Sequence, residues 1–318
     1  MTNSQGKAYR SATFAHRRQS RLRDVIGVVV LSFNKRAQLI EALASIERAD
    51  YPDLVTVVFD NASSDGSVEA ARARFRHFTI IANPENLGAP GGRNAGRRHL
   101  GRLADCDIVV FLDDDAEVTP SYFRRIEDCF AANHWAGVVA GKTLTGPGSG
   151  VIMSAGIKVN FYTGNISDIG TGEKDRGQYE KPREIDACGG FTLAVRAKVF
   201  DQLGGIDEAF NPYGWEDVDF CLRARKAGYK VLYEPRAVMC HKGTRAGRPL
   251  KAEYEQHEVR NYFRLLGRHA NLAQKATCFF FVPLRMSRVA WLMIRTGHAG
   301  VILSQARGFF DGLRGPSR

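Results

Sequence analysis

The chain has 318 residues, of which 44% are hydrophobic and 25% charged. That suits one large α/β domain with an appendage, or two small domains, and excludes a disordered or fibrous protein. The net charge of +11 is uneven: residues 1–23 carry six Lys/Arg and no acid, residues 242–318 carry fourteen against four, and the stretch between carries 25 against 30. The basic character therefore belongs to the ends, and the slightly acidic body argues against nucleic acid as a partner.

In chain order, residues 1–23 show no apolar periodicity and read as a disordered basic arm, without the apolar core of a signal peptide. Val25–Leu31 is a β-branched run, as in a strand buried on both faces. Leu39, Leu43 and Ile46 have helical spacing. Strands at 54–59, 78–82 and 107–112 then alternate with helices at 67–75, 91–103 and 120–132. Such alternation predicts βαβ units and a mostly parallel sheet flanked by helices. Residues 142–187 are rich in Gly, Ser and Thr and read as β-hairpins or a flexible loop. A strand at 190–195, a short helix through 203, a helix at 216–227 and strands at 230–233 and 237–240 follow. The six cysteines form no C-x-x-C pair and read as buried thiols in a reducing, cytoplasmic compartment. No apolar run reaches the roughly 18 residues of a spanning helix.

Parallel sheets bind ligands at the carboxyl ends of their strands. Polar clusters stand at those ends: Ser32-Phe33-Asn34, Asp60-Asn61, Asn83–Asn86 and Asp113-Asp114-Asp115. Three adjacent carboxylates repel one another, and a hard cation such as Mg²⁺ or Mn²⁺ relieves that repulsion; an acidic turn capping the next helix is the plain alternative. A second acidic group, Glu216-Asp217-Val218-Asp219, opens a helix, where carboxylates also favour the helix dipole. Beside the strand-end aspartates, one of them becomes a candidate general base. His241 ends a strand and is a candidate metal ligand or a structural histidine. Gly88 to Gly96 forms a Gly-rich turn whose backbone N–H groups and Arg93 suit a phosphate or a base; its spacing matches neither the dinucleotide fingerprint nor the P-loop.

These residues together resemble the inverting glycosyltransferases of family 2, with the GT-A fold, over roughly residues 24–270. The motifs stand in the family's order: Val28–Asn34, Val58–Ser67, Asn86-Leu87-Gly88 with Gly92–Gly96, Phe111–Asp115, Glu216–Tyr229 and His241. The resemblance implies a donor-binding set of Ser32, Asn34, Asp60, Asn61, Arg93, Asn94, Asp113 and Asp114. Asp115 would bind the metal, Mn²⁺ or Mg²⁺, with help from His241. Asp217 would be the catalytic base, and Gly189, Gly190, Trp215 and Glu216 would line the acceptor side. The subgroup most similar to this chain includes rhamnosyltransferases of surface polysaccharide assembly, many of which have Asn-Pro-Asp where this chain has Asp113-Asp114-Asp115.

The implied organisation is a catalytic domain over 24–245, with a nucleotide-sugar half (24–135) and an acceptor half (136–245), followed by a basic helical extension (246–318). The implied reaction takes a sugar from a nucleotide diphosphate sugar to a hydroxyl of a glycan or lipid-linked glycan, by single displacement. Two rivals are a sugar nucleotidyltransferase, which needs a Gly-rich loop where Ser32–Arg36 stands, and a basic nucleic-acid-binding protein. Beyond Pro283 a helix is expected, with Arg285, Arg288 and Arg295 on one side and Met286, Ala290, Met293 and Ile294 on the other. It suits either attachment to the inner membrane surface or packing against the catalytic domain or a second copy in a homodimer.

Overall fold

The computed structural model describes residues 24–243, 252–278, 280–282 and 299–313. The basic arm and the helix expected just beyond Pro283 lie outside the described residues. A ten-stranded sheet runs through the body. Four parallel strands build one side: β1 (Ile26–Ser32), β2 (Leu54–Asn61), β3 (Thr79–Asn83) and β4 (Ile108–Asp113), in the spatial order β3-β2-β1-β4. The register sets Ser32 beside Asp60 and Leu31 beside Asp113, so the polar strand ends form one row.

The short strand β5 (Ala116–Val118) pairs with the far side of the sheet. That side holds β6 (Ala136–Thr145) and β12 (Lys230–His241), parallel to each other, joined to β4 through the antiparallel β11 (Leu193–Arg196). Short strands β7 (Ile152–Ser154) and β10 (Arg183–Glu184) add antiparallel edges, and β8 (Ile157–Asn160) with β9 (Asn165–Asp168) makes a separate hairpin.

Two expectations change here. The two strands read at 230–233 and 237–240 are one, with a register shift between Glu234 and Val238 that spans Pro235; proline cannot donate to the ladder. The strand read from Gly190 begins at Leu193, after a single 3₁₀ turn at Gly190–Thr192.

Helices cover both sheet faces: α1 (Arg36–Glu47), α2 (Ser67–Arg74), α3 (Gly88–Leu103), α4 (Tyr122–Ala132), α5 (Ala197–Gln202) and α6 (Glu216–Lys226). One core gathers Val29, Phe111, Val195, Phe200 and Phe220, and the other Val28, Val30, Leu43, Phe123 and Ala237. Residues of β1 alternate between them, as period two requires. The glycines of α3 serve contact with the sheet. A Cβ on Gly96 would fall 2.4 Å from Val29 Cγ1, and one on Gly92 would fall 2.5 Å from Leu31 Cδ1.

The extension packs on the main body. Helix α7 (Ala252–His269) lies over the 207–219 segment, and α8 (Ala299–Leu313) packs on α7. Between them, residues 272–278 are helical, and Cys278 joins Phe161, Tyr262, Leu266, Ala270 and Val282 in a third apolar cluster. No helix among the described residues is long and apolar enough to cross a membrane.

Candidate active site

The donor-side wall grows from the strand ends. Ser32 and Asp60 are buried, and Ser32 Oγ and Asp60 Oδ2 have no hydrogen-bond partner. The other Asp60 oxygen accepts the Ser63 N–H at 2.8 Å. Asn34 is tied to the next loop, its Oδ1 accepting the Ser64 N–H at 2.8 Å. Asn61 holds the turn before α3: its amide donates to the Gly88 carbonyl at 3.0 Å and accepts from the Leu87 N–H at 3.0 Å. Asn94 is engaged with the backbone of Ile206 through both its amide and its carbonyl.

The three aspartates after β4 diverge. Asp114 turns back to accept the Phe33 N–H at 2.9 Å, and burial pushes its carboxyl up to about 6 against the pull of Lys35. Asp115 is buried; Lys35 Nζ sits 2.8 Å from its Oδ2, and His241 Nε2 lies 3.0 Å from its Oδ1. His241 Nε2 is also 3.6 Å from Asp113 Oδ2.

Ligand atoms of Asp113, Asp115 and His241 all lie within 4.8 Å of one another. Asp115 Oδ1 and both His241 ring nitrogens are buried without a hydrogen bond of good geometry, although His241 Nε2 and Asp115 Oδ1 are close enough to pair as ions. Burial alone would lower the His241 pKa, but the two carboxylates push it up to about 9. Two oxygens and one imidazole nitrogen with these orphaned atoms fit a divalent cation such as Mn²⁺. The Phe191 ring stacks on His241 at 4.5 Å and fixes its plane.

The opposite wall is the start of α6. Asp217 Oδ2 accepts the Gly190 N–H at 2.7 Å and Oδ1 accepts the Val218 N–H at 2.8 Å. Trp215, just before, adopts a left-handed backbone (φ 69°), and its indole donates to the Glu258 carbonyl of α7 at 3.1 Å. Such backbone strain persists where its surroundings over-determine it and clusters at functional sites. Asn34 (φ 52°) and Ala62 (φ 68°), after β1 and β2, are the other non-glycine residues among those described with positive φ.

One side chain joins the walls. Arg93, 4% exposed, donates to Asp113 Oδ1 at 2.8 Å and to Glu216 Oε1 at 2.9 Å. Burial resists the charge on Asp113, but Arg93 and His241 hold its carboxyl well below the usual range. Glu216, in contrast, is pushed up to about 7 by burial and by Asp217 beside it, despite Arg93. A Cβ on Gly190 would fall 2.8 Å from the Arg93 guanidinium, so any side chain there would displace the guanidinium. The two acidic groups, a hundred residues apart, therefore share one buried cation.

The sequence model of glycosyl transferase family 2 matches residues 27–204, more than half of the chain. The chain belongs to glycosyl transferase family 2. Residues 176–244 also match the N-terminal domain of galactosyltransferase. Among family 2 relatives, the N-acetylglucosaminyl-diphospho-decaprenol L-rhamnosyltransferase of Mycobacterium tuberculosis (strain H37Rv) is 28% identical over 293 residues, 86% of this chain and 92% of that protein. Galactofuranosyltransferase GlfT2 of Mycolicibacterium smegmatis is 24% identical over 242 residues, 68% of this chain and 36% of that one. Mannosyltransferase PcManGT from Pyrobaculum calidifontis, solved with GDP-Man and Mn²⁺, has the same fold: TM-score 0.57, 17% identity, 97% of this chain and 95% of that one. GalNAc-T7, solved with UDP, GalNAc and Mn²⁺, gives a TM-score of 0.61 at 15% identity, over 78% of this chain and 48% of that one. The family 2 chain is thus a glycosyltransferase with the GT-A architecture expected from its sequence.

Three contributors were not among the expected residues. Lys35 bridges Asp114 and Asp115; its place directly after Ser32-Phe33-Asn34, in a row of strand-end polar groups, is the signal that points to it. Arg268 and His269 of α7 carried none. Their nitrogens lie 2.9 and 2.8 Å from Asp219 Oδ1, fifty residues earlier.

Proposed function

We propose that this glycosyltransferase moves a sugar, with inversion, from a nucleoside diphosphate sugar to a hydroxyl group of a lipid-linked glycan in surface polysaccharide assembly. The Arg93 bridge carries the reading: by pairing with both Asp113 and Glu216 it ties the candidate cation ligands to the helix start that bears Asp217. The kinship with a rhamnosyltransferase whose named substrate is a diphospho-decaprenol supports a polyprenyl-linked acceptor.

Ser32 Oγ and Asp60 Oδ2, buried and unsatisfied, are suited to the polar edge of the donor's base, where leaving them unpaired would be costly. Asp113, Asp115 and His241 would hold Mn²⁺ or Mg²⁺, which supplies a positive charge to offset that building on the leaving diphosphate. Lys35 adds a second positive charge on the same side. Asp217, oriented by the Gly190 and Val218 N–H groups, takes the proton of the acceptor hydroxyl as its oxygen attacks the anomeric carbon from the opposite face. One displacement suffices, so no nucleophilic side chain is invoked. The cysteines among the described residues are all free, which fits work in the reducing cytoplasm.

A thermal-shift screen of UDP-, GDP- and dTDP-sugars with Mn²⁺ or Mg²⁺, followed by assay of nucleoside diphosphate release, tests this. Cation-dependent stabilisation by one donor and release of its diphosphate are expected. Release of pyrophosphate, or turnover unaffected by EDTA, would overturn the mechanism.

A further inference from the structure

We propose that the outward face of α8 docks the enzyme on an anionic lipid surface. At 100° per residue, Val301, Gln305, Gly308 and Gly312 share one side of this helix. That side is committed to α7. Val301 and Gln305 are 6% and 8% exposed, and a Cβ on Gly308 or Gly312 would fall 2.3 or 2.6 Å from the Gln256 or Arg260 carbonyl oxygen.

The opposite side should then be polar if it faced water. It carries Leu303, Phe310 and Leu313 instead, 67%, 58% and 63% exposed, with exposed Arg307 among them. In the described body before the extension, the large exposed apolar residues Phe33, Leu103, Trp135 and Tyr162 are scattered through separate segments, whereas Leu272, Phe280 and Phe281 add to those of the extension.

Charge selects the occupant. Residues 271–318 carry seven Lys/Arg and one acid, Asp311. That acid is engaged by Gln256 Nε2 of α7 at 3.0 Å. The face therefore offers apolar side chains beside Arg307, with Asp311 turned to α7, in a terminal stretch whose sequence is net positive. A second copy would bring a segment of the same net positive sequence charge, which disfavours it as the occupant. A bilayer containing anionic lipid offers what the face lacks: an apolar layer for Leu303 and Phe310, and headgroup phosphates for Arg307. Helix α7 links α8 to the segment that presents Asp217, so docking holds the acceptor side of the cleft near the surface where a lipid-linked substrate resides.

The test is co-sedimentation of the full chain with phosphatidylcholine vesicles, with and without phosphatidylglycerol. The chain should pellet with the phosphatidylglycerol vesicles and less so as salt is added. The double variant Leu303→Ser/Phe310→Ser should partition about tenfold less or weaker still, and Arg307→Glu about fivefold less. All three side chains are exposed, so melting temperatures should match the wild type. A chain that stays in the supernatant with anionic vesicles, or a double variant that pellets like the wild type, would overturn the proposal. So would light scattering that finds a wild-type dimer and a monomeric double variant, which would assign the face to a second copy. Vesicle binding is read without sugar transfer, so its failure and a failure of the catalytic reading are separable.

Discussion

The two walls of the cleft are built in different ways. On the donor side, Ser32, Asp60 and Asp113 end three adjacent parallel strands, and the hydrogen-bond register places them. On the other side, Asp217 lies in the first turn of a helix that packs on the sheet but is outside its hydrogen-bond ladder. The segment leading to it is held from behind by α7: Asn261 donates to the Phe210 and Tyr213 carbonyls, Arg260 and Arg264 to those of Asn211 and Ala209, and Trp215 to Glu258. Asp219, with no exposure, closes the arrangement against Arg223, Arg268 and His269. One wall is specified by a ladder and the other by a clasp made fifty residues later. Damage to the clasp should therefore impair transfer while leaving nucleotide binding in place.

The joint between the walls should show the largest effect. Arg93→Met leaves Asp113 and Glu216 buried without their cation, and removing one partner of such a pair costs about 3–5 kcal/mol. Urea unfolding should show that loss; a change under 1 kcal/mol (about the worth of an exposed pair) would mean the walls do not depend on this bridge.

Asp217→Asn comes next. Turnover should fall about 10²-fold or more, while cation-dependent stabilisation by the donor survives in a thermal-shift assay. Loss of both together would erase the distinction between the walls.

Arg268→Gln probes the clasp alone. The kcat should drop about tenfold, of the order that follows from slight misplacement of a reacting group, with the donor KM within about twofold of wild type. Arg268→Lys should recover part of the loss.

The smallest effect is in acid. Burial raises the Asp219 pKa, but His269, Arg223 and Arg268 outweigh it and hold the carboxyl below its usual range. Its folded pKa is thus depressed. The stability it contributes is complete above its unfolded value, near pH 4, and is lost as pH falls through the folded value. Arg268→Gln weakens that depression, so the acid-unfolding midpoint should move to higher pH; an unchanged midpoint would remove Arg268 from the clasp.

The same contrast explains what could be read before folding was known. The strands and helices of the parallel half declare themselves by period, and the acids that could hold a metal stand at or just after a strand end, where topology brings them beside His241. Strand β6 was not legible. Its Gly137, Gly141 and Lys142 look unlike a buried strand, yet a Cβ on Gly141 would meet the Ala237 carbonyl oxygen at 2.1 Å, and Lys142 is buried against Asp175 and Glu180 more than thirty residues on. Trp215 was expected on the acceptor side; its indole N–H is directed to a carbonyl of α7, a partner that local pattern does not reveal. Residue identity pointed to the candidate reactive groups, while the groups that hold the segment around Asp217 are known only through tertiary contacts.

The grip on Asp219 also sets an order of assembly. As the chain leaves the ribosome, the strands that carry Ser32, Asp60 and Asp113 are complete long before His269 emerges, and domains begin to fold from the amino end during synthesis. Under the proposed roles, a nascent chain would gain its nucleotide pocket first and its proton acceptor last, so an unfinished enzyme could hold a donor sugar before it is equipped to spend it.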